Sequence, residues 1–130
     1  MLQMMLVLIC GTTFALATTK LTAKVKNGSH KVGEFTNVEI VNEGSNPVSV
    51  IPSCFSIFRP SDQTHWDKPQ DCDGEHVRVA PGASKNVSVM IPKYQELTQG
   101  TYAFKVAYFD ENKKERHVDA YSTQFKIEVE

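Results

Sequence analysis

The stretch LTQGTYAFKVAYF, Leu97 to Phe109, decides the fold. Tyr102, Phe104, Val106 and Tyr108 recur at every second position, with Thr101, Ala103, Lys105 and Ala107 between them. Successive side chains of a strand point to opposite faces, so this spacing predicts a β-strand with an aromatic-rich face in a core.

Working outward, the same alternation recurs in short runs. Leu21, Ala23 and Val25 alternate in KLTAKVK, and Val38 and Ile40 share a face of FTNVEIVN. VSVIP and CFSIF read as strand, with Pro52 marking a bulge or an edge. Val77 and Val79 point one way in HVRVA, and Val87, Val89 and Ile91 alternate in NVSVMI. Phe125, Ile127 and Val129 make the buried side of QFKIEVE. NEGSNP, APGAS and DENKKER separate these runs as turns. IPKYQELTQG is the best helical candidate, and Pro92 limits it to a turn or two. About seven short strands with frequent turns predict an all-β antiparallel sandwich. Leu97, Gly100 and Tyr102 also stand at the start of the strongest strand as in the tyrosine corner of immunoglobulin-like domains, where a Tyr hydroxyl ties back the preceding connection. An antibody-type domain carries a Cys two residues after that Tyr. Here the position is Phe104, which is expected to fill that part of the core.

The chain has 130 residues, enough for one domain with a real core. Its net charge is -1, which argues against nucleic acid or an anionic membrane as the partner, since both reward a basic face. Met4 to Cys10 is apolar and too short to span a bilayer, which takes about 20 residues. Ala15 and Ala17 then supply the small residues that a signal peptidase reads. Residues 1–17 are therefore expected to be a signal peptide, although MLQ carries no Lys or Arg. Residues 18–130 are expected to be the immunoglobulin-like β-sandwich domain, secreted or extracytoplasmic (extracellular or periplasmic). Cleavage removes Cys10 and leaves Cys54 and Cys72, an even pair that predicts one disulfide in an exported chain.

Between those cysteines lies CFSIFRPSDQTHWDKPQDC, which starts as strand and continues as a polar loop around the single Trp of the chain. Two readings of Trp66 stand open: a lid over one end of the core, or the exposed anchor of a binding surface shared with His65, Arg59 and Phe58. A disulfide would hold such a surface in shape and reduce the ordering cost on binding. Asn27-Gly28-Ser29 and Asn86-Val87-Ser88 are N-x-S sequons, so Asn27 and Asn86 are candidate glycosylation sites in a eukaryotic secretory pathway.

No catalytic or cofactor motif emerges. His30, His65, His76 and His117 do not pair at metal-ligand spacing and read as surface or loop histidines. Asp67, Asp71, Asp73 and Glu75 flank Cys72, but DCDGE lacks the distal ligands of an EF-hand and reads as a solvated acidic loop. No P-loop, G-x-S-x-G or G-x-G-x-x-G occurs. The expectation is no enzyme, no metal and no cofactor.

VEIVNEGSNPVSV, VRVAPGASKNVSVMIP and LTQGTYAFKVAYF follow in an order that resembles two families. One is the bacterial intracellular proteinase inhibitors. The other is the N-terminal β-domain of deuterolysin-like metalloendopeptidases, whose H-E-x-x-H zinc motif is absent here. With no catalytic motif, the expectation is a non-enzymatic module that binds a protein ligand through end loops or an exposed sheet edge, with a proteinase-inhibitor-like role, implied by the resemblance, as its sharpest form. The alternative is a structural or accessory subunit of a surface or secreted assembly, pairing through its sheet edges.

Overall fold

The computed structural model describes residues 20–26, 28–66, 74–93, 97–111 and 115–129, with the backbone alone for 115–119. Two sheets pack face to face. The smaller contains β1 (Leu21–Val25), β3 (Phe35–Asn42) and β8 (Ser84–Met90), in the order β1-β3-β8. The larger is built around β9 (Gly100–Asp110). On one flank of β9 lie β4 (Val48–Val50) and β5 (Ser56–Arg59); on the other lie β10 (Glu115–Tyr121) and β11 (Phe125–Glu128). Beyond β5 and β4 come β6 (Thr64–Trp66) and β7 (Val77–Val79), and β2 (Ser29–Lys31) joins β11.

These eleven segments trace seven strand paths, because β1/β2, β4/β5, β6/β7 and β10/β11 are each one path broken in two. The count expected from the alternating runs therefore describes paths. Among the paired strands one departs from the antiparallel expectation: β2 runs parallel to β11. The first path starts in the smaller sheet and changes sheets between β1 and β2, which brings β2 alongside the last strand in the same direction.

The core forms where the alternation said it would. Tyr102, Phe104, Val106 and Tyr108 meet Val38, Ile40, Val87 and Val89 of the opposing sheet, all buried. Phe104 lies 4.9 Å from Phe125 and 6.2 Å from Phe55, centroid to centroid, and occupies the core space expected of it. At the predicted corner, Tyr102 Oη donates to the Thr98 carbonyl at 2.6 Å and accepts the Thr98 N–H at 3.2 Å. Pro81 and Gly82 make the tight turn into β8. Gly82 takes φ +76°, a conformation cheap only for glycine, and Ala83 N–H closes the turn on Ala80 O at 3.0 Å.

Three local readings need correction. CFSIF does not begin as strand at Cys54: Pro52–Cys54 is a 3-10 turn that interrupts the path between β4 and β5, because Pro52 lacks the N–H a ladder needs. Thr64–Trp66 is not loop but strand, folded back on β5 through a turn in which Gln63 takes φ 59°. Val129 is 36% exposed, since β11 ends at Glu128 and leaves it beyond the ladder. The IPKYQELTQG candidate falls partly on 94–96, outside the described residues, and no α-helix occurs among those described.

Two polar devices hold the sandwich together. Asn42, fully buried, donates to Asn46 O and Val79 O and accepts the Gly44 N–H, while Asn46 donates to the buried Asp110 carboxylate. The NEGSNP turn is thus pinned to the end of β9. Ser122 and Thr123 stitch the sheets along one side. Ser122 Oγ accepts Phe104 N–H at 2.9 Å, and Thr123 Oγ1 accepts Val25 N–H at 2.9 Å. Ala23 and Ser122 form a parallel bridge, so this side is closed.

Candidate functional site

The β5–β6 hairpin carries all four residues expected to share a binding surface, and strand alternation divides them. Ile57 faces Trp66, Phe58 faces His65 and Arg59 faces Thr64 across the ladder. Residues directly opposite point to the same side and the next pair points to the other. Trp66 and Arg59 therefore share the core side, and Phe58 and His65 share the outer face of the larger sheet.

On the core side, Trp66 is half-buried and packs against the core, its ring 6.0 Å from that of Tyr102. The Arg59 guanidinium lies over the indole at 5.0 Å. That group is itself fixed by a fork to Asp62, Nε to Oδ1 at 2.9 Å and Nη2 to Oδ2 at 2.7 Å. Asp62 Oδ1 also accepts the Thr64 N–H, closing an Asx turn. The Arg59 hydrogen bonds hold the Asp62 carboxyl well below its usual range, and the bonds to Asp62 and then Tyr102 raise Arg59 further. Trp66 thus packs against the corner end of the core, with the Arg59 guanidinium against its ring.

The outer face carries a different cluster. Phe58 lies 4.6 Å from His65 and 4.9 Å from Tyr121, with His65 and Tyr121 6.4 Å apart. Tyr121 is 42% exposed and His65 is exposed. Tyr121 comes from β10, opposite Lys105 of β9, and Lys105 is opposite Ser56 on its other flank. Sequence reasoning missed Tyr121, because only the pairing of three strands brings it to Phe58. Further along the same sheet, His76 stacks on Phe109 at 5.8 Å. There Glu111 accepts from Ser49 at 2.8 Å and Arg78 at 3.1 Å, bonds that lower its carboxyl below the usual range, with Ser49 the larger cause.

The remaining candidates are placed as follows. Cys54 is buried in the 3-10 turn; Cys72 lies outside the described residues, as do Asp67, Asp71, Asp73 and Asn27. Asn86 is exposed on β8 and accepts from Asn37 Nδ2 at 3.1 Å. His30 packs edge-on against Phe125 at 5.7 Å; the side chain of His117 is outside the description. Residues 1–17, expected as a signal peptide, are outside it too. Among the described residues no three His, Cys, Asp or Glu side chains could hold a metal, and no helix is long and apolar enough to cross a membrane.

The chain matches no protein-family model and no curated protein. Among solved structures it is similar to the CARDB domain of the PF1109 protein from Pyrococcus furiosus, determined in complex with di-metal ions. The identity is 16% and the TM-score 0.43, over 86% of this chain and 89% of that one. It is also similar to the alkylpurine DNA glycosylase AlkC of Pseudomonas fluorescens, at 15% identity and TM-score 0.44, covering 89% of this chain but 32% of the glycosylase. A third similarity is to the ASH / PapD-like domain 7 of human CEP192, at 16% identity and TM-score 0.34, over 95% of this chain and 92% of that domain. All three TM-scores are below 0.5, and the β-sandwich is read from the strand pairing itself. None of these three is a proteinase inhibitor or a metalloendopeptidase domain, the families whose turn order the sequence resembles.

Proposed function

We propose that the protein is a non-enzymatic binding module that engages a protein ligand through the outer face of its larger sheet. The observation that carries this reading is the ring cluster of Phe58, His65 and Tyr121 on packed strands. Aromatic side chains with polar tips are enriched at the energetic centre of protein interfaces, because they offer large contact area with few rotamers to fix. Here the rings already contact one another, so little ordering is left to do on binding.

Export and the disulfide belong to the same reading. Gly74 N–H donates to Ser53 Oγ at 3.1 Å, which returns the chain beside Cys54 just after position 72. This supports a Cys54–Cys72 bond, and such a bond would stabilise the fold by about 3 kcal/mol through loop closure. Within the class, the proteinase-inhibitor-like role rests on the family resemblance alone.

The test is capture of ligands from the native extracellular or periplasmic fraction by the wild-type chain and by Tyr121→Ala. A specific partner should be retained by the wild type and bound at least about tenfold more weakly by the variant, as for an interface anchor. Equal binding by both would remove the outer face from the account. Stoichiometric slowing of a secreted protease by the wild type, relieved in Tyr121→Ala, would establish the narrower role.

A further inference from the structure

The two long sides of the sandwich differ. One is closed by Ser122 and Thr123; on the other, β8 ends the smaller sheet as a seven-residue strand with no partner beyond it among the described residues. We infer that β8 pairs with β8 of a second copy in antiparallel register centred on Val87, joining two three-stranded sheets into one.

The register follows from which groups are free. Ile91 N–H donates to Glu34 O and Ile91 O accepts the Gly33 N–H, so the odd-numbered residues of this segment bond inward to β3. Antiparallel ladders alternate, so Ser84, Asn86, Ser88 and Met90 turn N–H and C=O outward. Centring on Val87 sets Asn86 against the second copy's Ser88, and Ser84 against its Met90. Every outward group is then paired, with about eight intermolecular backbone bonds at two per facing pair. Shifting the centre to residue 86 or 88 leaves outward groups unpaired, and centring on Lys85 sets like charges face to face.

Charge favours a second copy as the occupant. A groove of about 540 Å³ runs beside β8, lined on its far wall by Pro52, Ser53, Glu75 and Val77. β7 leads through the Ala80–Ala83 turn into β8, so residues before β7 lie alongside the later part of β8. In the Val87 register the second copy's Lys85 faces Val89, at the level of Glu75. Lys85 and Glu75 are both exposed, and neither makes an ion pair among the described residues. Two symmetric Lys85–Glu75 pairs would flank the axis. This surface is separate from the Phe58–Tyr121 face, so either proposal can fail without the other.

Sedimentation equilibrium of the unglycosylated chain, against concentration, provides the test. A reversible dimer is expected. Ser88→Pro removes only an outward N–H, which an edge strand tolerates, and should give a folded monomer, its fold checked by circular dichroism. Lys85→Glu should raise the dissociation constant about tenfold by turning two attractions into repulsions, and Lys85→Glu with Glu75→Lys should restore it. A wild-type chain that stays monomeric up to about 1 mM overturns the proposal. A dimer that survives Ser88→Pro overturns the strand pairing, and one indifferent to Lys85→Glu overturns the register.

Discussion

On the inner face of the larger sheet, Tyr102, Phe104, Val106 and Tyr108 are none of them more than 5% exposed. On the outer face of the same sheet, Tyr121 is 42% exposed and rests on a half-buried Phe58. Both faces are aromatic and both come from strands of period two. What separates them is what lies opposite: a second sheet on one side, solvent on the other. Side chains of one chemical class thus hold the fold on the inner face and are left to make contacts on the outer one. The contrast can be broken by substitution, because inner residues should cost stability and outer residues should not.

Phe104→Ala should show the largest effect. It empties a site walled by Phe55 and Phe125, and removing a buried Phe costs about 3–5 kcal/mol. Urea unfolding of the variant should show a midpoint lowered to match, at unchanged slope. A loss below about 1 kcal/mol would mean that the inner face is not a sealed core.

How far such contrasts can be read from the sequence differs between the two faces. The inner one is legible because β9 states it locally: each second residue is large and apolar, and the Tyr102 corner and the Pro81-Gly82 turn are short motifs whose chemistry is complete within a few residues. The outer one is not. Phe58, Arg59, His65 and Trp66 look like one group along the chain, and only the register Phe58 opposite His65 assigns them to two faces. Tyr121 has no mark in sequence at all, since its neighbours come from the distant β5–β6 hairpin. The Ser122–Thr123 stitch escapes for the same reason: two small polar residues gain meaning only when β1 and β9 lie on either side of them.

Tyr102→Phe should come next. The ring stays, but Thr98 loses both an acceptor for its N–H and a donor to its carbonyl in a partly buried corner. Groups left unpaired there cost about 1–3 kcal/mol. Thermal and urea unfolding should agree on that loss, and a variant as stable as the wild type would show that the corner is held by packing alone.

The hairpin edge joins the two faces and should respond to pH. Asp62 has its carboxyl depressed by the Arg59 fork. A depressed carboxylate stabilises the folded form fully above its ordinary value, near 4, and loses that contribution as pH falls through the depressed value. Fluorescence of Trp66, the only Trp in the chain, reports the neighbouring Arg59 directly. It should hold steady from neutral pH to about 4 and change below it. In Asp62→Asn the neutral-pH signal should already have moved toward the acid form. Identical titrations of the two chains would separate Asp62 from the positioning of Arg59 over the indole.

The smallest effect on stability is expected at Tyr121, and that smallness is the point. The side chain stands at the end of β10, opposite Lys105, with its ring against Phe58 and its remaining surface open. Truncation to Ala leaves no cavity behind it, because solvent already fills the outer side. The change in unfolding free energy should stay within about 0.5 kcal/mol, the ordinary range for surface positions. An aromatic held exposed with so little structural return is what distinguishes a contact residue from a core residue. Should Tyr121→Ala cost as much as Tyr102→Phe, the outer cluster would be a second small core, and the difference between the two faces would be one of degree.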